Sequence, residues 1–150
     1  MEKKIGIASD HAGYEMKEFL VGYLAAKGWD VLDFGPESEE SVDYPDFAHP
    51  LANAIESGGA GARDRTLRFG RRHGHYPQQA PGHPCGTRMG QADRPPIRQH
   101  NNANVIVLPA RFITNDQAVE FVEEFLATDF EGGRHQRRIE KIPVKACNRQ

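Results

Sequence analysis

The apolar positions in the first half of the chain alternate between short continuous runs and helically spaced sets. Residues 4–9 and 31–34 are short apolar runs, which predicts two strands. Between them apolar side chains recur three and four residues apart, and Gly28 stands where a helix C-cap belongs, which predicts a helix. A further helix face is marked by Phe47, Leu51 and Ile55. The apolar set of the first helix is Met16, Phe19, Leu20, Tyr23 and Leu24.

The second half resumes the same alternation after residue 98. Residues 104–108 form a continuous apolar run, typical of a strand buried on both faces of a parallel sheet. Thr114 and Gln117 form a capping-box pattern before a helical set over 118–126. This order of strands and helices predicts an α/β fold with right-handed crossovers. The central strand that such a sheet needs is missing from the pattern, at residues 59–98.

Residues 59–98 differ from the rest of the chain in composition. They contain 8 of the 13 arginines, none of the 6 lysines, two acidic residues, and two of the 23 Val, Ile and Leu residues. Their net charge is +8 − 2 = +6, whereas the other 110 residues carry +11 − 19 = −8. So few aliphatic side chains do not offset the entropy of ordering. We therefore expect an irregular segment here, with the central strand disrupted.

The whole-chain composition excludes several classes of protein. The 150 residues amount to one domain, and 19 basic against 21 acidic side chains give no reason to expect a nucleic-acid or membrane partner. The two cysteines, Cys85 and Cys147, do not form a disulfide framework. The N-terminus lacks the pattern of a signal peptide or membrane span. We expect a single cytoplasmic domain.

Several polar residues at predicted strand and helix ends are candidates for chemistry. Asp10 and His11 follow the first strand, although Asp10 is also placed to cap a helix. His100 is suited to general acid or base catalysis, and equally to a place on the surface. Arg134 and Arg138 would share one helical face and could hold a phosphate, or form a solvated basic helix end.

An arginine after a strand and a pair of histidines are further candidates. Arg111 follows the strand predicted over 104–108. His73 and His75 lack further spaced ligands, so no metal site is expected, and no phosphate-binding glycine loop is present.

Four segments together are more specific than any single motif. The segments KIGIASDHAGYEMKEFL, SEESVDYPDFAHPLANAIESG, RQHNNANVIVLPARF and FLATDFEGGRHQRRIEKI closely resemble the type B ribose-5-phosphate isomerase family, which includes galactose-6-phosphate isomerase subunits. The resemblance covers residues 3–58 and 97–142. It implies a Rossmann-like three-layer α/β/α sandwich with a five-stranded parallel sheet. It also implies a homodimer, or a tetramer, whose sites are shared between subunits.

The same resemblance implies a function and site residues. The reaction is the interconversion of ribose 5-phosphate and ribulose 5-phosphate in the pentose phosphate pathway, without a metal or cofactor. His100 would be the acid that assists ring opening. The residues expected to bind the sugar phosphate are Asp10 and His11 at the sugar, Asn101 at substrate oxygens, and Arg111, Arg134 and Arg138 around the phosphate.

The sequence departs from this family inside residues 59–98. The family has a strand there that ends in a Cys-Gly-Thr/Ser-Gly loop, whose cysteine takes the proton and whose amides stabilise the oxyanion. This chain has Thr66, Leu67, Arg68, Phe69 and Gly70 instead. The segment therefore lacks the base on which the family relies.

A shift of reading frame accounts for this departure. Codons for residues 67–70, regrouped by one base, permit Cys-Gly-Ser-Gly, and codons for residues 78–85 permit Asn-Lys-His-Pro-Gly-Ile-Arg. Both flanks stay in frame, so one base gained near residue 60 and one lost near residue 96 would suffice. We interpret residues 60–96 as a double frameshift, and the chain as inactive in its present form.

Three alternatives remain open at this point. A galactose-6-phosphate isomerase subunit would share most of the motifs. A catalytically inactive relic that binds sugar phosphate would suit the sequence as it stands. An arginine-rich arm for nucleic acid would suit the charge of residues 59–98, but it explains neither the missing strand nor the second reading frame.

Overall fold

A single parallel sheet organises the molecule. A computed structural model describes residues 4–41, 43, 45–56, 65–69, 85–87 and 96–141. The strands are β1 (Lys4–Ser9), β2 (Asp30–Asp33), β3 (Arg65–Phe69), β4 (Cys85–Thr87) and β5 (Val105–Leu108). They hydrogen-bond in the order β2-β1-β3-β5-β4, and every pairing is parallel.

Helices connect these strands. A single 3₁₀ turn at His11–Gly13 leads into α1 (Tyr14–Ala26), and α2 spans Pro45–Glu56. The second half contains α3 (Pro96–Asn101), α4 (Asn115–Ala127) and α5 (Arg134–Ile139). The prediction of a Rossmann-like alternation of helices with parallel strands is confirmed. No helix in the described ranges is both long and apolar enough to span a bilayer.

Local signals that the sequence carries are found where they were expected. β1 has the predicted bounds, and Gly28 has a φ of +81° directly after α1, a conformation that glycine adopts without penalty. Thr114 Oγ1 accepts a hydrogen bond from the Gln117 amide, and the Gln117 side chain accepts one from the Thr114 amide. This capping box starts α4 at Asn115.

Alternate side chains of β5 enter two separate apolar clusters. Ile106 and Leu108 pack with residues of β1, α1 and α4. Val105 and Val107 pack instead with Ala8 and with Leu51 of α2. Since all four side chains are buried, both faces of β5 are covered. This agrees with the continuous apolar run that predicted the strand.

The expectation of an irregular segment with no central strand is wrong for residues 65–69 and 85–87. β3 lies in the middle of the sheet, where Leu67 is in register with Ile7 of β1 and with Ile106 of β5. The physical reason is that a parallel ladder consists of backbone hydrogen bonds, which any residue except proline contributes fully. Aliphatic poverty therefore did not exclude a strand. The rest of residues 59–95 lies outside the described residues.

A buried lysine ties α1 to the end of β2. The Lys17 side chain is only 1% exposed, and its Nζ donates to Asp33 Oδ2 and, at 2.6 Å, to Glu18 Oε1. Burial disfavours the ammonium charge, but the two carboxylates outweigh that cost and raise the pKa of Lys17. The pair fixes the helix that starts just after the candidate residues Asp10 and His11.

Candidate functional site

Asp10, His11 and Arg111 lie at the carboxyl edge of the sheet. Asp10 directly follows β1 and is 6% exposed, and its carboxylate accepts a hydrogen bond of 3.1 Å from the Gly13 amide. It therefore caps the 3₁₀ turn, as the alternative interpretation of this residue expected. Arg111 is exposed in the turn that follows β5. Because parallel strands end at the same edge, both segments face the side on which open α/β sheets bind ligands.

Two polar atoms at this edge have no hydrogen-bond partner within the described ranges. They are Ser9 Oγ and His11 Nδ1, both inaccessible to solvent. Ser9 is in register with Phe69 at the end of β3, and the loop after Phe69 lies outside the described residues. The half-buried His11 follows β1 at the edge of the sheet where β3 also ends.

The second group of candidates forms where α3 packs on α5. The Glu131 amide donates a 3.0 Å hydrogen bond to Gln99 O, which joins the segment before α5 to α3. This brings His100 onto His135, with ring centroids 4.2 Å apart and planes 5° from parallel. His135 is 6% exposed, whereas His100 remains accessible. The result is a stacked pair of imidazoles with one buried member and one accessible member.

Glu131 and Arg134 bring opposite charges to this pair of imidazoles. Glu131 Oε2 lies 3.8 Å from His100 Nε2 and 3.5 Å from His135 Nε2. Arg134 Nε donates to His135 Nε2 at 3.3 Å, so this nitrogen is an acceptor and the imidazole is neutral. Burial lowers the pKa of His135, and the neighbouring His100 and Arg134 lower it further. His135 is therefore the neutral member of the pair.

His100, Glu131 and His135 also have the composition of a metal site. Their ligand atoms lie within 4.8 Å of one another. The surroundings do not fit a cation, however, because Arg134 occupies the His135 lone pair that a metal would need. Arg134 and Arg138 also bring positive charge to the same place. The cluster fits an anionic ligand better than a metal ion.

Two of the three predicted arginines, Arg134 and Arg138, lie at this cluster, together with Asn101. Arg134 and Arg138 are exposed and lie one turn apart on α5, so they share a face as predicted. Asn101 is the exposed last residue of α3, next to His100. The two guanidinium groups and the accessible His100 imidazole therefore lie at the protein surface, where a small ligand can reach them.

The two groups lie at opposite edges of the sheet within one chain. α3 ends at Asn101 just before β5 begins at Val105, whereas Arg111 follows the other end of β5. Four residues of strand span roughly 13 Å. Asp10 and His11 are at the far edge, with Arg111. One chain therefore brings His100, Asn101, Arg134 and Arg138 together but not with Asp10, His11 and Arg111.

Sequence reasoning missed Glu131 and His135. Their signal was present: the two residues are four apart, and His135 stands between Arg134 and a second arginine one turn on. Gly132 and Gly133 separate them, with φ values of +71° and +55° that allow the sharp entry into α5. The stack on His100 was not predictable, because it depends on how α3 and α5 pack.

Comparisons with known proteins identify the family of this chain. A family model described as Ribose/Galactose Isomerase matches residues 5–66 and 85–142. Ribose-5-phosphate isomerase B of Escherichia coli K12 is 33% identical over 155 aligned positions, covering 93% of this chain and 94% of that protein.

Solved structures of similar proteins show the same fold. A ribose 5-phosphate isomerase of Thermotoga maritima superposes with a TM-score of 0.85 at 40% identity, covering 94% of this chain and 97% of the other. A Mycoplasma genitalium ribose-5-phosphate isomerase B with bound ribulose 5-phosphate gives 0.83 at 34% identity, covering 92% of each chain. The family match spans most of the sequence on both sides of residues 67–84. The chain belongs to the ribose/galactose isomerase family.

Proposed function

We propose that this chain is a pentose 5-phosphate isomerase, built to interconvert ribose 5-phosphate and ribulose 5-phosphate. The observation that carries the proposal is the accessible His100, stacked on neutral His135 beside Arg134 and Arg138. An aldose phosphate needs a proton donor at its ring oxygen and cations at its phosphate. A relative with this fold binds ribulose 5-phosphate, which supports the choice of substrate.

The residues divide the chemistry as follows. His100 donates a proton to the ring oxygen as the bond from C1 to that oxygen breaks, and the C1 hydroxyl releases its proton to water, which leaves an aldehyde at C1. Asp10 and His11 bind the sugar, and Asn101 binds substrate oxygens. Arg111, Arg134 and Arg138 bind the phosphate through charge-assisted hydrogen bonds. A base then moves the proton from C2 to C1 through an enediolate, without a metal or cofactor.

We further propose a homodimer, or a tetramer built from it, in which each site combines residues of two subunits. The separation of the two groups along β5 supports this, because one chain does not present both to one small sugar. A second copy would supply the carboxyl-edge group to the partner's histidine cluster. We also propose that the fold is a three-layer α/β/α sandwich with a five-stranded sheet. The proposed location is the cytoplasm.

The central departure from the family concerns the base. Leu67 stands where the family's cysteine is expected, and the family match omits residues 67–84. We attribute residues 60–96 to the double frameshift. The frame-restored chain is defined here as the protein encoded once both single-base changes are reversed. In that frame the codons for residues 67–70 permit Cys-Gly-Ser-Gly.

Mixing two inactive variants tests the shared site. In the frame-restored chain, Asp10→Asn damages one half of the site and His100→Gln the other. Each variant alone is expected to be inactive. A refolded equal mixture should regain about a quarter of the parental activity, since half of the dimers pair the variants and each such dimer has one intact site. No recovery in verified mixed dimers would contradict the shared site.

A substrate panel separates this function from its alternatives. Ribose 5-phosphate should be turned over by the frame-restored chain far faster than galactose 6-phosphate. The reverse preference would identify a galactose-6-phosphate isomerase subunit. Binding of both sugars without turnover would identify an inactive relic.

A further inference from the structure

Glu131 holds a position that the proposed chemistry leaves unused. We propose that Glu131 is a positioning residue for His100, holding this imidazole in its stack and placing the proton of the histidine pair on it. This inference rests on the proposed function for the role of that proton in ring opening. The geometry does not depend on the proposed function.

The backbone and the side chain of Glu131 both contact the histidine cluster. Its amide is hydrogen-bonded to Gln99 O, the carbonyl of the residue before His100. Its carboxylate Oε2 lies 3.8 Å from His100 Nε2 and 3.5 Å from His135 Nε2. One residue therefore ties down the end of α3 and faces both imidazoles with a negative charge.

The charges around the pair determine where this carboxylate acts. Arg134 donates to the Nε2 atom of His135 and keeps that ring neutral, and Arg138 of the same helix opposes a positive charge there as well. Arg98, on the same helix as His100, donates to Asn102 Oδ1 and Ala103 O. Of the charged groups whose contacts with the pair are described, Arg134 and Arg138 are positive and Glu131 is negative. It therefore favours the protonated form of His100, the form that a ring-opening acid requires.

The arrangement also explains why the two rings do not compete for the proton. Two positive imidazoles with centroids 4.2 Å apart would repel each other. With His135 held neutral by burial and by Arg134, Glu131 presents its negative charge beside the accessible ring of His100. Replacement of Glu131 by Gln removes the negative charge beside the two rings but keeps the backbone hydrogen bond from residue 131 to Gln99 O.

Histidine NMR on the full chain tests this directly, without turnover. The titrations of His100 and His135 would be followed in ¹⁵N-histidine-labelled protein, as it stands and frame-restored, with assignments from His100→Gln and His135→Gln. We expect Glu131→Gln to lower the apparent pKa of His100 by about half a pH unit, a roughly three-fold change in protonation, as for a partly exposed ion pair. Glu131→Asp, which keeps the charge, should restore part of the shift.

Glu140→Gln is the matched control. It removes the same charge from the end of α5, where the Glu140 carboxylate accepts a hydrogen bond from Gln136. If Glu131→Gln shifts the apparent pKa of His100 no more than Glu140→Gln does, the proposal is overturned. In the frame-restored enzyme Glu131→Gln should also lower kcat several-fold with little change in KM, whereas a rise in KM alone would contradict a positioning role. The NMR result stands whichever sugar phosphate is the substrate.

Discussion

Gly35 is the residue at which the backbone and the neighbouring packing both require the absence of a side chain. Its φ is +90°, and a Cβ there would lie 2.8 Å from Cδ1 of Phe47. Its carbonyl also accepts a 3.0 Å hydrogen bond from the Ser9 amide, next to Asp10. We expect Gly35→Ala to lower the free energy of unfolding by about 2–4 kcal/mol, from backbone strain and overpacking together. Urea unfolding measures this.

Two other glycines separate the causes. Gly28 has a φ of +81° but nothing within 4 Å of a Cβ, so Gly28→Ala should cost only the strain, about 1–2 kcal/mol. Gly22 lies inside α1 with open space around it, so Gly22→Ala should stabilise by about 0.5–1 kcal/mol. If Gly35→Ala lowers the free energy of unfolding no more than Gly28→Ala does, the Phe47 side chain moves aside and overpacking contributes nothing.

The buried His135 makes stability depend on pH. Its folded pKa is lowered by burial, by His100 and by Arg134, relative to an unfolded value of about 6.5. The unfolded chain therefore binds more protons in the window just below pH 6.5, and the stabilisation present above it is lost as the pH falls towards the folded pKa. We expect His135→Gln to flatten the decline in denaturation midpoint between pH 6.5 and 5. A decline as steep in His135→Gln as in the parent chain would refute this.

The joint between α1 and β2 depends on one buried charge. Lys17 is sequestered against Asp33, which remains partly exposed. Lys17→Met removes the ammonium group and leaves the Asp33 carboxylate without its partner. We expect the free energy of unfolding to fall by about 1–3 kcal/mol, a range that allows for the access of Asp33 to water. Lys27→Met is the control, since Lys27 pairs with Glu123 at 2.6 Å on the exposed surface. Chemical unfolding should show a much smaller effect there.

Helix α5 presents its arginines unequally to the histidine cluster. Arg134 and Arg138 share a face, and Arg137 lies between them in sequence. In the frame-restored enzyme, Arg134→Ala or Arg138→Ala should raise KM for ribose 5-phosphate by about ten-fold to a hundred-fold, the worth of a charged hydrogen bond. Arg137→Ala should leave KM nearly unchanged. Equal kinetics for all three variants would assign these arginines to a solvated helix end.

What the sequence predicted at the level of elements depended on local signals. β1, the Gly28 cap and the Thr114 capping box are encoded by neighbouring residues, and all were confirmed. β3 was missed because its ladder is made by the backbone of two distant strands, β1 and β5. The contacts of Glu131 and His135 with His100 were missed for a similar reason, because they form only when α5 packs on α3.

At the scale of the whole molecule, β3 restores the sheet but not the chemistry. The backbone of residues 65–69 bridges β1 and β5 as a central strand should. Leu67 has no acid or base function, and Arg68 and Phe69 are bulky at positions where the proposed frame restoration gives glycine and serine. Cys85 does not replace the missing base, because it begins β4, which β5 separates from β3.

Activity should therefore separate the chain as it stands from its frame-restored form. Isomerisation requires a base for the proton at C2 and donors for the enediolate oxygen. A general base contributes roughly 10²–10⁴ in rate and an oxyanion donor roughly 10²–10³, so their joint loss leaves essentially no turnover. Ribulose 5-phosphate formation would be assayed for both proteins with a chelator present, after circular dichroism has verified folding. We expect no product from the present chain and metal-independent product from the restored one. Robust turnover by the present chain would refute the frameshift account, because residues 60–96 would then contain a base that Leu67 does not provide.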